Sequence, residues 1–301
     1  MIAVFYVLAP DPDGAQERRW IRSVQSLRRH NSDVSVVLCL YGRPHPETVE
    51  TARSAGVQVQ PMGEFADALG DIPKHWRYAL SRNPSLIKLL ALRAFTSAHE
   101  LTRLIYLDCD TYCFGDIVDL TARYGRCDFY AREEPLSMRS RGGPDRGYID
   151  EQALFKIADA EGLIPIPAYN TGLALLTYEL ARTLTTLLDD YIWYTWRLLL
   201  GACLWRPELV DDSALMELVR AHSSEGERRL ALPYPSGSLW IIDEIAAWLT
   251  LGHVPGLSHD LLRPPDVVQN GEYATQPADG IITAHYFSVC EEAFVAHLEG
   301  R

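Results

Sequence analysis

Apolar residues along the chain fall into two alternating patterns. From Ile2 to Ala9 they run almost unbroken and stop at a Pro-Asp-Pro-Asp-Gly turn, the mark of a strand buried on both faces. From Gln16 to Arg29 they recur at helical spacing, with Trp20, Ile21, Val24 and Leu27 on one stripe. Strand returns over Val34 to Tyr41, helix over Glu47 to Ala55, and a short strand over Val57 to Gln60. This succession predicts an α/β fold around a parallel sheet with right-handed crossovers. Ligands of such sheets bind beyond the carboxyl ends of the strands.

The pattern continues less regularly. Phe65 to Ser81 reads as a connection with a short helix, Leu86 to His99 as a helix, and Leu104 to Leu107 as a buried strand. A short helix over Asp116 to Tyr124 and a strand over Asp128 to Ala131 follow. Arg132 to Tyr148 is rich in Arg, Gly and Pro and holds Arg139, Arg141 and Arg146; it fits an ordinary loop or a lid that closes on an acceptor. Tyr178 to Leu200 is expected to be one long helix carrying Trp193, Trp196 and Arg197, with Trp205 just beyond. That aromatic group fits core packing, an acceptor platform, a membrane-surface patch or a homodimer face, and helical spacing makes packing the commonest of these. Further helices are expected over Asp211 to His222 and Ile245 to Thr250, and a last strand over Gly280 to Phe287.

The strand at Leu104 to Leu107 ends abruptly in Asp108 and Asp110. If extended geometry lasts through Asp110, both carboxylates point the same way. Two such charges about 4 Å apart repel by roughly 4 kcal/mol at an effective dielectric near 20. A cation between them removes that repulsion, and a hard divalent ion, Mn²⁺ or Mg²⁺, suits carboxylate oxygens that leave room for phosphate. The same two residues also fit a solvated turn.

Composition narrows the partners. The chain of 301 residues carries 28 basic and 40 acidic residues, a net charge of −12, which disfavours nucleic acid as a partner. An anionic substrate must then be met by a local site or a metal. The six cysteines form no C-x-x-C pair, the N-terminus lacks the basic region of a signal peptide, and no apolar run is long enough to span a membrane. A cytoplasmic protein with reduced thiols and no transmembrane segment is expected.

Four other places offer polar groups near strand or helix ends. Asn170, in Tyr169-Asn170-Thr171-Gly172, leads into the apolar run Leu173 to Leu176 and either bonds a ligand hydroxyl or initiates the strand through its own backbone. Asp243 and Glu244 follow a second apolar run, where Asp243 also fits a helix N-cap. His285 ends the last strand, as a structural histidine or a nitrogen ligand to a metal. Lys88 opens a helix, as a surface lysine or a cation aimed at phosphate.

In this order, the strand-D-x-D stretch, the Asn-x-Gly strand, the Asp-Glu helix start and the late His-Tyr (His285, Tyr286) resemble the GT-A glycosyltransferases, most of all the retaining galactosyltransferase and glycogenin-like family, family 8. The resemblance runs from Ile2 to about Phe287 and rests on order and spacing, since each motif is short. It implies a GT-A-like, Rossmann-type mixed sheet flanked by helices in a single large domain. Residues 1–131 would bind the nucleotide sugar, and residues 132–301 would bind the acceptor and complete the reaction centre. It implies Asp108, Asp110 and His285 as ligands of Mn²⁺ or Mg²⁺. Asn170 would lie on the donor sugar, Asp243 would face the reacting sugar with Glu244 where the family usually has Gln, and Lys88 would reach the donor. The donor would be a nucleotide sugar, UDP-sugars first, and the acceptor a small molecule or glycan.

Two features depart from the family. No Gly and Lys follow the late His, where Ser288-Val289-Cys290-Glu291-Glu292 stands, so Lys88 or an arginine between Arg139 and Arg146 would have to neutralise the leaving group. The first strand also lacks the usual acid pair at its end, having Asp11 and Asp13 beyond Pro10. The implied reaction is metal-assisted glycosyl transfer with retention, in which a diphosphate oxygen takes the acceptor proton. Two rivals use the same residues. A haloacid-dehalogenase-type phosphatase would use Asp108 as nucleophile and Asp110 as general acid, and would need a later acid pair after an apolar strand. An inactive glycosyltransferase-like partner would only bind.

Overall fold

The computed structural model describes residues 2–63, 72, 76–77, 87–98, 102–141, 148–269, 271–275, 280–286 and 290–299. The connection expected over Phe65 to Ser81 lies almost wholly outside them, as do Arg146 and Phe287.

The first half of the chain alternates strands and helices: β1 (Ile2–Leu8), α1 (Ala15–His30), β2 (Ser35–Tyr41), α2 (Pro46–Ser54), β3 (Gln58–Gly63), α3 (Ile87–Ala98) and β4 (Arg103–Leu107). These four strands pair in parallel in the order β3-β2-β1-β4. After a short β5 (Thr111–Cys113) and α4 (Val118–Arg123), β6 (Phe129–Glu133) and β7 (Tyr169–Thr177) extend the same sheet, with α5 (Glu151–Ala160) between them. β7 runs antiparallel to both β4 and β6, and β8 (His259–Leu261) closes the edge parallel to β6. The sheet is therefore mixed, and it passes through both the 1–131 and 132–301 halves. A small second sheet joins β5 to β10 (Thr283–His285) and β9 (Val267–Gln269).

Alternate residues of each central strand feed opposite faces. Phe5, Val37 and Tyr106 pack under Ala91 and Phe95 of α3, while Val4, Tyr6, Leu38 and Ile105 pack under Trp20, Val24 and Leu27 of α1. This double burial is why these strands read as continuous apolar runs.

The helix expected over Tyr178 to Leu200 is two helices, α6 (Tyr178–Thr186) and α7 (Leu188–Trp205), parted at Leu187. The hydroxyls of Thr183, Thr185 and Thr186 bond back to carbonyls one turn earlier, competition that weakens a helix end. α7 is buried nearly all round, and the next chain segment crosses it so closely that a Cβ at Gly201 would lie 1.7 Å from the Leu232 carbonyl oxygen. Trp196 is buried and Trp193 partly so, each stacked on Trp76 at 5.2 and 5.3 Å, so these two aromatics face inward. Only Trp205 of the group is largely exposed. α8 (Ser213–His222) is capped by Asp212, and α9 (Ile242–Leu251) packs on α7. The chain's last described helix is α10 (Glu291–Glu299).

Candidate active site

Extended geometry ends at Leu107, sooner than the D-x-D spacing suggests. Asp108 N–H donates to the Gly172 carbonyl at 2.8 Å, and Thr111 N–H returns to the Asp108 carbonyl at 3.2 Å, so Asp110 lies in a turn between β4 and β5. The carboxylates converge through that turn rather than through a shared strand face.

His285 reaches them by register. β10 pairs antiparallel with β5 so that His285 stands opposite Thr111, beside Asp110. Its Nε2 lies 3.1 Å from Asp110 Oδ1, and one donor atom each from Asp108, Asp110 and His285 lie within 4.8 Å of one another. The ring needs the space left by a missing side chain, because a Cβ at position 172 would lie 2.0 Å from His285 Cε1. The glycine of Asn-x-Gly is explained by that contact.

The irregular edge of the sheet supplies the other groups. Pairing of β6 with β7 runs in register to Ala131 opposite Ala174, then jumps to Arg132 opposite Asn170, freeing Thr171 to Leu173 from β6. Asn170 thus lies within β7, not in a turn before it. Its Oδ1 accepts from Gly172 N–H and from His285 Nδ1, both at 3.0 Å, and its Nδ2 donates to Glu134 Oε2 at 3.1 Å. Asp243 and Glu244 sit in the first turn of α9, one helical turn earlier than the sequence pattern places the helix, and neither caps it. Glu244 Oε1 accepts from the Thr171 hydroxyl at 3.2 Å.

Opposite charges pair at two points of the site. Lys88 Nζ lies 3.1 Å from both Asp108 oxygens, with the Tyr106 hydroxyl on the same carboxylate. Burial opposes the Lys88 charge, yet Asp108, Asp243 and Glu244 together raise its pKa. Burial likewise opposes charge on Asp110 and His285, but each stabilises the other's charged form, lowering the acid and raising the imidazole. Glu244 goes the opposite way: burial first, then Glu134 and Asp243, push its pKa well up. Glu134, also buried, is raised by burial too, against the bonds it accepts from Asn170 Nδ2 and Leu136 N–H. Glu134 carries no sequence signal, because an acid in an Arg-Glu-Glu-Pro stretch reads as surface.

The residues named from the sequence, Lys88, Asp108, Asp110, Asn170, Asp243, Glu244 and His285, therefore meet at one place. Beside them a cleft of about 480 Å³ is lined by Val7 to Pro12, Gln16, Lys88, Tyr106 and Asp108 to Asp110. Asp11 lies in this cleft with its carboxylate on the Gln16 N–H at 3.2 Å, and Asp13 accepts from Ala15 N–H, so both acids serve the start of α1. Arg139 lies 3.5 Å from Glu133. The donor set itself fits a divalent cation: two carboxylates and one imidazole converge, and the imidazole's far nitrogen is already used in a bond to an amide oxygen.

A scan against protein-family models and a search of curated proteins return no match. Among solved structures, an active-site mutant of the galactosyltransferase LgtC is similar over 95% of this chain and 87% of its own, at 12% identity and a TM-score of 0.50. The fold is GT-A. Mouse xyloside xylosyltransferase 1 in its apo form is also similar, over 96% of this chain and 99% of its own, at 11% identity and a TM-score of 0.46.

In this GT-A fold the turn after β4 stands at the carboxyl edge of the parallel strands, where open α/β sheets receive ligands. The acid pairs that a phosphatase would need later in the chain are elsewhere: Asp189 and Asp190 lie in the first turn of α7, and Asp211 and Asp212 precede α8. None of the four follows a strand. No helix among the described residues is long and apolar enough to cross a membrane, and all six cysteines are free.

Proposed function

We propose that this protein is a divalent-metal-dependent glycosyltransferase that moves a sugar from a nucleoside diphosphate sugar, UDP-sugars first, to an acceptor hydroxyl with retention of configuration. The observation that carries the reading is the convergence of Asp108, Asp110 and His285 within 4.8 Å beside a 480 Å³ cleft in a GT-A fold. Asp108, Asp110 and His285 would hold Mn²⁺ or Mg²⁺. When bound, such an ion supplies Lewis-acid neutralisation of a diphosphate leaving group.

The chain's own residues divide the remaining work. Val7 to Pro12 and Gln16 wall the cleft that takes the nucleotide. Lys88 adds positive charge on the side of the cleft next to Asp108, in the role of the lysine absent after His285. Asn170, Asp243 and Glu244 face the sugar. Glu244 stands where the usual Gln would be, and burial with Glu134 and Asp243 beside it disfavours a second anion there. The free cysteines support a cytoplasmic location.

The test is thermal unfolding with UDP, GDP and dTDP, each with and without Mn²⁺. A ligand at 100 times its dissociation constant stabilises the native state by about 2.7 kcal/mol. Metal-dependent stabilisation by one nucleotide, followed by transfer or hydrolysis of its sugar, is expected. No metal-dependent shift with any nucleotide overturns the proposal.

A further inference from the structure

One buried acid at this site has no place in the reading above. Glu134 lies just beyond the end of β6 and is 1% exposed. Its Oε1 accepts from Leu136 N–H at 3.0 Å and its Oε2 from Asn170 Nδ2 at 3.1 Å. A carboxamide nitrogen only donates, so this bond fixes which way the Asn170 amide faces. Its oxygen is turned toward Gly172 N–H and His285 Nδ1, each at 3.0 Å. That oxygen only accepts, so the imidazole carries a proton on Nδ1 and presents Nε2 to Asp110, 3.1 Å away. Asn170 and His285 are 4% and 5% exposed, so water does not offer substitute partners.

We propose that Glu134 is a positioning residue: through Asn170 it fixes which nitrogen of His285 is presented to a divalent cation held with Asp108 and Asp110. This rests on the metal reading of the strand end. Metal-bound histidines commonly give their other N–H directly to a carboxylate or carbonyl. Here an amide stands between, so the chain is carboxylate, amide, imidazole, and with Glu134 ionised every link has one allowed direction.

The direction of the outer link can be reversed by mutation, which gives the test. In Glu134→Gln, whichever way the new amide turns, one donor faces a donor, either Leu136 N–H or the Asn170 NH₂. In Asn170→Asp, two carboxylates face each other, and at about pH 8 they coexist only by trapping a proton. Each single variant is expected to weaken Mn²⁺ binding, followed by electron paramagnetic resonance of the free ion, by about ten- to hundredfold. The double variant, E134Q with N170D, exchanges the two roles: the amide at 134 donates and the carboxylate at 170 accepts. Leu136 N–H, Gly172 N–H and His285 Nδ1–H then all keep acceptors. Its Mn²⁺ affinity should return to within about threefold of wild type. Single variants that stay folded by circular dichroism and bind Mn²⁺ like wild type overturn the proposal. So does a double variant whose losses simply multiply.

A second readout needs no metal. Nitrogen-15 spectra of the metal-free protein at high pH, with the His285 ring identified by its loss in His285→Gln, should show a larger share of the Nδ1-protonated tautomer in wild type and the double variant than in either single variant. In the single variants the hold on Nδ1 is weakened and Asp110 Oδ1 draws the proton to Nε2. An unchanged tautomer in the singles overturns the role of Glu134. If wild type binds no Mn²⁺, the metal reading falls, and these spectra still decide whether Glu134 sets the ring.

Discussion

The parallel strands β1 to β4 and the antiparallel edge of β6 and β7 both end at the site, but they reach it differently. The parallel half keeps register over every paired residue of β1 with β2 and β4, slips once at the outer β2–β3 pair between Leu40 and Tyr41, and packs apolar side chains on both faces. Its contribution is position: a strand end, a turn and a cleft. The antiparallel edge loses register between Ala131 and Arg132, and into that break go Glu134, Asn170, Thr171 and Glu244, all hydrogen-bonded. The break leaves Thr171 to Leu173 without β6 as a partner, and side chains gathered there supply bonds in its place, as where Asn170 Oδ1 takes Gly172 N–H.

Changes at the junction of the two regions should have the largest effect. Asp110→Asn removes a carboxylate that faces His285, and metal-dependent stabilisation by a nucleoside diphosphate, about 2.7 kcal/mol at 100 times the dissociation constant, should vanish. Its persistence in differential scanning would separate the strand end from the donor site. Next comes Gly172→Ala, which forces a Cβ into the His285 ring. Overpacking of this kind costs about 1 to 3 kcal/mol, and here Mn²⁺ affinity should fall with stability. A variant as stable as wild type by urea unfolding would mean that the ring moves freely and the irregular edge is less tightly built.

The regular half can be probed without touching the site. Glu17 of α1 is buried and accepts from the Thr48 hydroxyl and the His45 N–H, each at 2.7 Å. Burial opposes its charge, but bonds from Thr48 and His45 prevail and hold its pKa below the usual glutamate value. A group depressed in the folded state contributes stability above its unfolded pKa and loses it as pH falls through the folded one. Wild type should therefore exceed Glu17→Gln by about 1 to 3 kcal/mol at neutral pH, and the gap should close in acid. A gap that widened on acidification would reverse the assignment. The smallest effect belongs to Glu244→Gln. Burial, Glu134 and Asp243 all disfavour a charge on Glu244, so an uncharged amide of the same shape should change stability at pH 7 by no more than about 0.5 kcal/mol. A markedly stabilised variant would mean that Glu244 is ionised and that burial is being resisted by repulsion.

Much of the scaffold is legible in the chain because its causes are local. Apolar runs and helical stripes placed β1, α1, β2, α2 and β4 to within a residue or two, since both-face burial and one-face burial leave different periods. The break at Leu187 leaves no mark in periodicity, because threonines that bond back to a helix look there like ordinary helical residues. The start of α9 is hidden because Leu239 to Ile242 is apolar throughout and carries no period.

The sequence by itself determined the alternation of strands and helices, the double-sided burial of the central strands, and the presence of two acids where an apolar run stops. These follow from side chains within a few positions of one another. Only the tertiary structure decided that Asp110 turns away from the strand, that His285 lands beside it through the β5 to β10 register, and that Glu134 reaches His285 through Asn170. Those contacts join residues 36 to 175 positions apart. Hydrogen bonds over such separations leave no periodicity to read, and only the register and its break bring the partners within reach.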